Sequence, residues 1–237
     1  MTTKALRRLW AAWLWLLLGV MVLVAALAVL LLPSLSWRRR AARRAGRWFF
    51  LLAGLPVHCR GLEHLPAGPC IVVANHSSYL DGPLLFSALP PRFAFVIKKE
   101  ASRLPVAGPL LIRMGHQFVE RFNRHEGAND TRRILRAAGA GESMVFFPEG
   151  TFTARVGLAR FHAGAFATAV RAGVPVVPVV IRGTRRILPS GTWLPRRSRL
   201  EVEVLELLPA PPGDDAAARL RDRARSNMGA ALGEGLL

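Results

Sequence analysis

The chain has 237 residues, of which 51% are hydrophobic and 20% are charged, a composition that suits one globular domain plus one membrane element. The formal net charge of +18 is concentrated at the N-terminus, because ten of the 33 basic residues lie in the first 60 positions and Glu63 is the first acidic residue. Since neither a zinc-ligand spacing nor a helix-turn-helix pattern accompanies these charges, the composition argues against nucleic-acid binding.

The first predicted element is a hydrophobic helix at residues 9–32. This stretch contains no charged residue and as a helix is long enough to cross a hydrocarbon core of about 30 Å. Trp10, Trp13 and Trp15 near one end and Trp37 beyond the other are typical interfacial anchors. A cleaved signal peptide would have a shorter apolar core, so we predict a retained membrane helix.

A basic cluster at residues 37–48 follows this helix and contains six arginines. Each Lys or Arg near an anionic leaflet contributes about 1 kcal/mol, so we expect binding to anionic lipid headgroups. The positive-inside bias places the following domain on the cytoplasmic side of the cytoplasmic membrane. Lys4, Arg7 and Arg8 reduce this bias, and a hairpin with residues 49–52 inserted in one leaflet remains an alternative. We therefore divide the chain into an anchor, residues 1–56, and an α/β domain, residues 57–237.

The rest of the chain alternates between short apolar runs and helical patterns. This alternation predicts a largely parallel mixed sheet flanked by helices. The predicted strands are residues 57–60, 69–74, 93–97, 117–120, 143–147, 176–181 and 199–207. The predicted helices are residues 82–89, 104–114, 130–138, capped by Asp130, then 161–172 and 215–231.

Two polar turns follow predicted strands and carry the candidate chemistry. His76 and Asp81 lie in the turn after residue 74, where a carboxylate can hold one imidazole nitrogen while the other nitrogen faces a substrate. Glu149 and Gly150 lie in the turn after residue 147. In an open α/β sheet, ligands bind beyond the carboxyl ends of the strands, so both turns are expected at one site.

Four ordered blocks between residues 57 and 185 resemble the glycerolipid acyltransferase family, typified by 1-acyl-sn-glycerol-3-phosphate acyltransferase. They are Asn75-His76 through Asp81; Lys98, Glu100, Pro105, Gly108, Gly115 and Arg121; Phe147 to Thr151; and Val174 to Pro178.

The resemblance implies acyl transfer from acyl-CoA or acyl carrier protein, as co-substrate, to a membrane lysophospholipid, most directly 1-acylglycerol-3-phosphate. It implies His76 as general base and Asp81 as its orienting carboxylate, with no metal and no further cofactor. Backbone amides near His76 or Gly150 are candidates for stabilising the oxyanion. The predicted substrate-binding residues are Arg121, Glu149, Gly150, Thr151, Arg155 and Lys98.

One position departs from the family pattern, because Phe152 stands where the family commonly has Arg. An acceptor phosphate would then need another cation, for which Arg121, Arg155, Arg160 and Lys98 are candidates. This departure keeps open an acyltransferase for another acceptor, such as a lyso-aminolipid. A non-catalytic lipid-binding membrane protein and a lipid hydrolase are the alternatives from other classes.

Other reactive residue types have simpler interpretations. Cys59 and Cys70 are too few for a disulfide scaffold and fit a reducing cytoplasm. The spacing of the remaining histidines does not match a metal-binding helix. Ser77 and Ser78 lack the Gly-x-Ser-x-Gly pattern of a nucleophile elbow and are predicted to be turn hydroxyls.

Overall fold

The computed structural model describes residues 3–120, 124–152, 156–189, 191–233 and 235, and its strands form one sheet. The strands are β1 (Val57–Arg60), β2 (Ile71–Ala74), β3 (Ala94–Lys98), β4 (Gln117–Val119), β5 (Met144–Phe146), β6 (Val176–Arg182) and β7 (Leu200–Val204). Their order is β1-β7-β6-β2-β5-β3-β4, and every neighbouring pair is parallel except β6 with β7. The predicted α/β fold with a largely parallel mixed sheet is confirmed.

The helices depart from the predictions in three places. The described helices are α1 (Thr3–Leu31), α2 (Leu35–Leu52), α3 (Asp81–Ala88), α4 (Ala107–Arg113), α5 (Arg124–Gly139), α6 (Gly164–Ala172), α7 (Thr184–Ile187) and α8 (Ala216–Leu232). The basic cluster is part of the regular helix α2, and the short α7 was not predicted. Asp130 is not a helix cap, because α5 begins before it and its carboxylate accepts a hydrogen bond from the Glu120 backbone N–H at 2.9 Å.

Both faces of the sheet are covered by helices. Val72 and Ala74 of β2 face a core shared with α1, α2 and α3, whereas Ile71 and Val73 face a second core shared with α5, α6 and α8. Successive side chains of a strand point to opposite faces, so a strand buried on both sides must be apolar throughout. This explains why the sequence of β2 is uniformly hydrophobic.

Helices α1 and α2 form an antiparallel hairpin that packs on the α/β domain. Phe49 and Phe50 of α2 and Leu14 of α1 belong to the same buried core as Val72 of β2. The predicted boundary after residue 56 therefore marks the start of the sheet, while the hydrophobic core extends across it.

Both ends of α1 are bonded to other parts of the chain. Near its start, the Arg7 guanidinium donates to the Leu194 carbonyl oxygen at 3.0 Å. At its end, Arg113 donates to the carbonyl oxygens of Val29 (3.3 Å) and Leu30 (3.2 Å), which lie in the last turn. Carbonyl groups in a last helical turn lack intrahelical donors and attract cations. The domain thus holds α1 along its length, although α1 is long and apolar enough to cross a membrane.

Candidate active site

His76 and Asp81 are in direct contact across the turn between β2 and α3. The distance from His76 Nδ1 to Asp81 Oδ2 is 2.8 Å, and Asp81 is fully buried. The same oxygen accepts hydrogen bonds from the backbone N–H groups of Ser77 (2.6 Å) and Ser78 (2.8 Å). Asp81 is also the first residue of α3, where the partial positive charge of a helix N-terminus favours a carboxylate. These contacts compensate the burial of its charge only in part, because all of the hydrogen bonds go to Oδ2 while the buried Oδ1 has no partner among the described residues.

The contact with Asp81 orients the imidazole ring of His76. A neutral ring whose Nδ1–H donates to the carboxylate has its lone pair on Nε2, which can accept a proton. The His76 side chain is 19% exposed to solvent. The arrangement can therefore remove a proton from a hydroxyl group placed beside the ring.

Glu149 connects the His76 turn to the chain that follows β5. Its Oε1 accepts from the His76 backbone N–H at 2.7 Å, and its Oε2 accepts from the Ala159 N–H at 2.9 Å. Burial raises the pKa of Glu149, and the two N–H donors offset that effect only in part. The two Glu149 oxygens thus hold the backbone on either side of it, and its predicted role in substrate binding stays a prediction.

The backbone amides expected to stabilise an oxyanion already have acceptors. The N–H groups of His76, Ser77 and Ser78 donate to carboxylate oxygens, as described above. The Gly150 N–H donates to the Phe147 carbonyl oxygen at 3.0 Å and closes a tight turn in which Gly150 has a φ of 77°, a value that favours glycine. These four amides are engaged in forming the loops, and the predicted stabilisation of the oxyanion by amides near His76 or Gly150 stays a prediction.

Two aromatic rings contact the His76 imidazole, and a third packs against one of them. The Phe147 ring stacks on His76 with centroids 4.3 Å apart, and the Phe152 ring meets it edge-on at 4.6 Å. Tyr79 packs against Phe152 at 4.7 Å with the two rings nearly perpendicular. Phe152 therefore places an apolar ring against the His76 imidazole at the position where the family commonly has a guanidinium.

Side chains behind the His76 turn hold the end of β2 to β6 and to the segment after β6. The Asn75 amide accepts from the Ile181 N–H at 2.7 Å and donates to its carbonyl oxygen at 3.0 Å. The Ser77 hydroxyl lies 3.2 Å from that of Thr184, and the Ser78 hydroxyl donates to the Leu188 carbonyl oxygen at 2.8 Å. Both serines are buried in structural hydrogen bonds, which fits turn hydroxyls better than nucleophiles.

Thr151 and Lys98 are the remaining predicted substrate-binding residues that the structure describes. Thr151 is exposed next to the Gly150 turn, whereas Lys98 is exposed at the end of β3, two strands away from β2. Arg121 and Arg155 lie outside the described residues, so their predicted roles stay predictions. Among the described residues, no group of three or more His, Cys, Asp or Glu side chains could hold a metal ion.

Sequence reasoning missed how Tyr79, Phe147 and Ala159 complete the site. Phe147 belongs to a motif block, and the Phe152 departure marked an aromatic substitution, so the two rings beside the base were visible in the sequence. Ala159 had no sequence pattern to reveal it, because it contributes only a backbone N–H group.

The protein therefore has an α/β fold with a His–Asp pair at the carboxyl end of a central parallel strand, an arrangement typical of enzymes. The sequence model of a family described as Acyltransferase matches residues 56–182, more than half of the chain. The chain belongs to this acyltransferase family.

Similar proteins from other organisms also carry acyltransferase names. A 1-acyl-sn-glycerol-3-phosphate acyltransferase of Chlamydomonas reinhardtii is 32% identical over 230 residues, which are 93% of this chain and 68% of that protein. A chloroplastic 1-acyl-sn-glycerol-3-phosphate acyltransferase of Brassica napus is 37% identical over 135 residues, 56% of this chain and 39% of that protein. A lyso-ornithine lipid O-acyltransferase of Pseudomonas aeruginosa is 37% identical over 154 residues, 62% of this chain and 57% of that protein. The chain thus spans only part of the length of these relatives.

A solved structure shares the fold. The 1-acyl-sn-glycerophosphate acyltransferase PlsC of Thermotoga maritima superposes with a TM-score of 0.82 over 98% of this chain and 97% of that chain. The two sequences are 23% identical, so this similarity establishes the fold, including the N-terminal helices.

Proposed function

We propose that this protein transfers an acyl chain from an acyl thioester, acyl-CoA or acyl carrier protein, to the free hydroxyl of a lysophospholipid. The acceptor we propose first is 1-acylglycerol-3-phosphate, which would yield phosphatidic acid. The observation that carries this proposal is the partly exposed His76 ring, held by the buried Asp81 carboxylate at 2.8 Å. A non-catalytic lipid-binding protein would not require an oriented base of this kind.

The proposed reaction uses His76 as the general base. Nε2 takes the proton of the acceptor hydroxyl while its oxygen attacks the thioester carbonyl carbon. Asp81 stabilises the resulting imidazolium through Nδ1. The tetrahedral intermediate then collapses, the new ester forms, and the thiol leaves with a proton. Because the thioester is already activated, the reaction needs neither a metal nor an acyl-enzyme intermediate.

The acceptor phosphate requires a cationic partner. A guanidinium binds phosphate oxygens in a bidentate manner, and Arg121 matches the family motif, so Arg121 is proposed for this role with Arg155 as the second candidate. Thr151 and Gly150 are proposed to line the acceptor side of the site. Lys98 remains a weaker proposal because it lies two strands from the base.

A second acceptor class is favoured by the ring of Phe152. This ring lies 4.6 Å from the imidazole, where an arginine would otherwise bring a positive charge. An acceptor with no phosphomonoester beside its hydroxyl would suit that apolar surface. The similarity to a protein named lyso-ornithine lipid O-acyltransferase supports a lyso-aminolipid as this second candidate.

We further propose that the protein binds the cytoplasmic face of the cytoplasmic membrane. Helix α1 exposes Leu16, Leu23 and Leu31, which are 60% or more accessible, and α2 exposes Arg40 and Arg44. Such apolar surface next to arginines suits the boundary between acyl chains and anionic headgroups. Because both ends of α1 are bonded to other parts of the chain, we propose that α1 lies within one leaflet.

The test is thiol release from a long-chain acyl thioester by purified protein in detergent or lipid. The assay is run without acceptor, with 1-acylglycerol-3-phosphate and with a lyso-aminolipid. We expect acceptor-dependent release that falls by two or more orders of magnitude in His76→Ala, since a general base typically contributes about 10²–10⁴-fold. His58→Ala, at an exposed position of β1, is the matched control and should retain activity.

Three other outcomes would count against this proposal. Full activity of His76→Ala would contradict the mechanism. Release of free fatty acid without acceptor would indicate a lipid hydrolase. Binding of lysolipid without turnover of any acceptor would indicate a non-catalytic lipid-binding protein.

A further inference from the structure

An irregular segment between α7 and β7 exposes large apolar side chains beside α1. In residues 191–195, which we call the tryptophan loop, Trp193 is 77% exposed and Leu194 is 39% exposed. Single exposed apolar residues are common on soluble proteins, but a nearly fully exposed Trp adjacent to a Leu and to an apolar helix extends a larger patch. The helix in question is α1, whose Trp13 and Leu16 are also exposed.

The tryptophan loop is bonded to the first turns of α1. The Trp15 indole N–H donates to the Trp193 carbonyl oxygen at 3.1 Å, and the two rings are tilted with centroids 5.8 Å apart. Arg7 donates to the carbonyl oxygens of Leu194 (3.0 Å) and Pro195 (3.4 Å). These bonds satisfy polar backbone groups that would otherwise oppose contact with lipid. The loop and the start of α1 therefore present one continuous apolar surface.

Exposed cations border this surface on both of its elements. Lys4 and Arg8 are exposed at the start of α1, and Arg196 and Arg197 are exposed directly after the loop. The Arg197 guanidinium lies 5.4 Å from the centre of the Trp10 ring. Tryptophan concentrates at membrane interfaces, and basic residues near the surface are attracted to anionic headgroups. The combination matches the headgroup region of an anionic lipid bilayer.

We propose that the tryptophan loop is a second membrane-inserting element, which enters the same leaflet as α1 through Trp193 and Leu194. The inference rests on the membrane association proposed above. It adds a second membrane contact from a part of the chain more than 100 residues after α1. By bonding to Arg7 and Trp15, the loop keeps the start of α1 at the headgroup level. It thereby opposes rotation of α1 into a spanning orientation.

The experiment uses an environment-sensitive fluorophore on single cysteines of the full chain. Trp193→Cys is labelled in a Cys59→Ser background, where the remaining Cys70 is fully buried and burial raises its thiol pKa to about 11. Leu23→Cys on α1 is the membrane-exposed reference, and Asp222→Cys on α8, across the sheet, is the water-exposed reference. The proteins are bound to phosphatidylcholine vesicles with and without phosphatidylglycerol, and quenching by spin-labelled lipid is compared with quenching by iodide.

We expect the label at position 193 to be quenched by spin-labelled lipid and protected from iodide, as at position 23 and unlike position 222. The effect should be stronger in vesicles that contain phosphatidylglycerol. A label at 193 that behaves like the label at 222, while the label at 23 contacts lipid, would overturn this inference alone. If neither 23 nor 193 contacts lipid, the membrane association fails as well, and the acyl-transfer assay remains an independent test of the reaction.

A binding measurement supplies a second criterion. The double variant Trp193→Ser/Leu194→Ser should partition into anionic vesicles about tenfold more weakly, because it removes most of the apolar area of the loop. Its acyl transfer to a detergent-dispersed acceptor should be unchanged, since neither residue lies in the catalytic turns. Unchanged partitioning would contradict insertion of the loop.

Discussion

At the residue scale, Glu149 illustrates how one carboxylate can join two backbone segments that are distant in sequence. Its two oxygens receive the backbone N–H groups of His76 and Ala159, which lie on either side of it along the chain. The carboxylate thereby fixes the position of the His76 turn relative to the loop after β5. We infer that Glu149 is a positioning residue, one step removed from the chemistry.

Glu149→Gln tests this role. The amide keeps one acceptor oxygen but its NH₂ cannot accept, so one buried N–H loses its partner at a cost of about 1–3 kcal/mol. We expect kcat to fall while KM for the acceptor changes little, together with a lower free energy of unfolding in urea. Glu206→Gln, at an exposed position, is the matched control. A large rise in KM with unchanged kcat and stability would instead indicate a substrate contact.

His116 predicts a specific dependence of stability on pH. Burial lowers its pKa to about 3, with a smaller contribution from the nearby Arg39 guanidinium, and its Nδ1 accepts the Phe95 backbone N–H at 3.1 Å. A histidine whose folded pKa is below its unfolded value of about 6.5 binds its proton more readily when unfolded. Its contribution to stability is therefore present above pH 6.5 and is lost as the pH falls toward 3.

His116→Asn should remove this dependence while keeping an acceptor near the position of Nδ1. The stability difference between wild type and variant should change by up to about 1.4 kcal/mol per pH unit below pH 6.5, measured by urea unfolding at several pH values. The exposed His58→Asn control should show no such change. Parallel pH curves for wild type and His116→Asn would contradict the expectation.

At the element scale, α2 is a regular helix that the pattern of charged residues did not predict. The arginine-rich stretch was predicted as a juxtamembrane cluster, with a hairpin that includes residues 49–52 as the alternative. In the structure Ala42, Ala45 and Phe49 follow Arg39 at helical spacing, and all four are buried. Arg39 is an arginine at a core-facing position. Sequence patterning treats every arginine as a surface residue, so the helical period was not visible.

Arg39 links α2 to the edge of the sheet. Its guanidinium donates to the carbonyl oxygens of Met114 (2.8 Å), Arg92 (3.0 Å) and Gly115 (3.1 Å) and pairs with the Glu142 carboxylate at 3.2 Å. We infer that this contact, together with Phe49 and Phe50, attaches the α1–α2 hairpin to the α/β domain.

Arg39→Ala should lower the free energy of unfolding by about 2–4 kcal/mol, between the cost of one unsatisfied buried group and that of a broken buried ion pair. Arg44→Ala, at an exposed position of the same helix, should change it by no more than about 0.5 kcal/mol. Denaturant unfolding in detergent measures both. Equal effects of the two substitutions would show that Arg39 does not hold the hairpin.

At the scale of the whole molecule, the attachments of α1 predict its topology. Arg7 is bonded near the start of α1 and Arg113 binds its last turn, so a helix in this arrangement keeps both of its ends on the side of the α/β domain. Single cysteines replacing the exposed Lys4 and Ser36, in the Cys59→Ser background, should both react with an impermeant maleimide in inside-out membrane vesicles. Asp222→Cys marks the side of the α/β domain. Reaction of position 4 only in right-side-out vesicles would show that α1 spans the bilayer.

Sequence patterns were enough to predict the α/β class, the order of the main elements, the apolar N-terminal helix and the pairing of His76 with Asp81. These features are local, because strand and helix periods and a five-residue turn are encoded by neighbours in the chain. Three features could be recognised from the folded structure alone: Glu149 binds backbone, Arg39 is buried and α1 is held at both ends. Each depends on contacts between residues distant in sequence, which packing of the sheet and helices brings together and which no local pattern encodes.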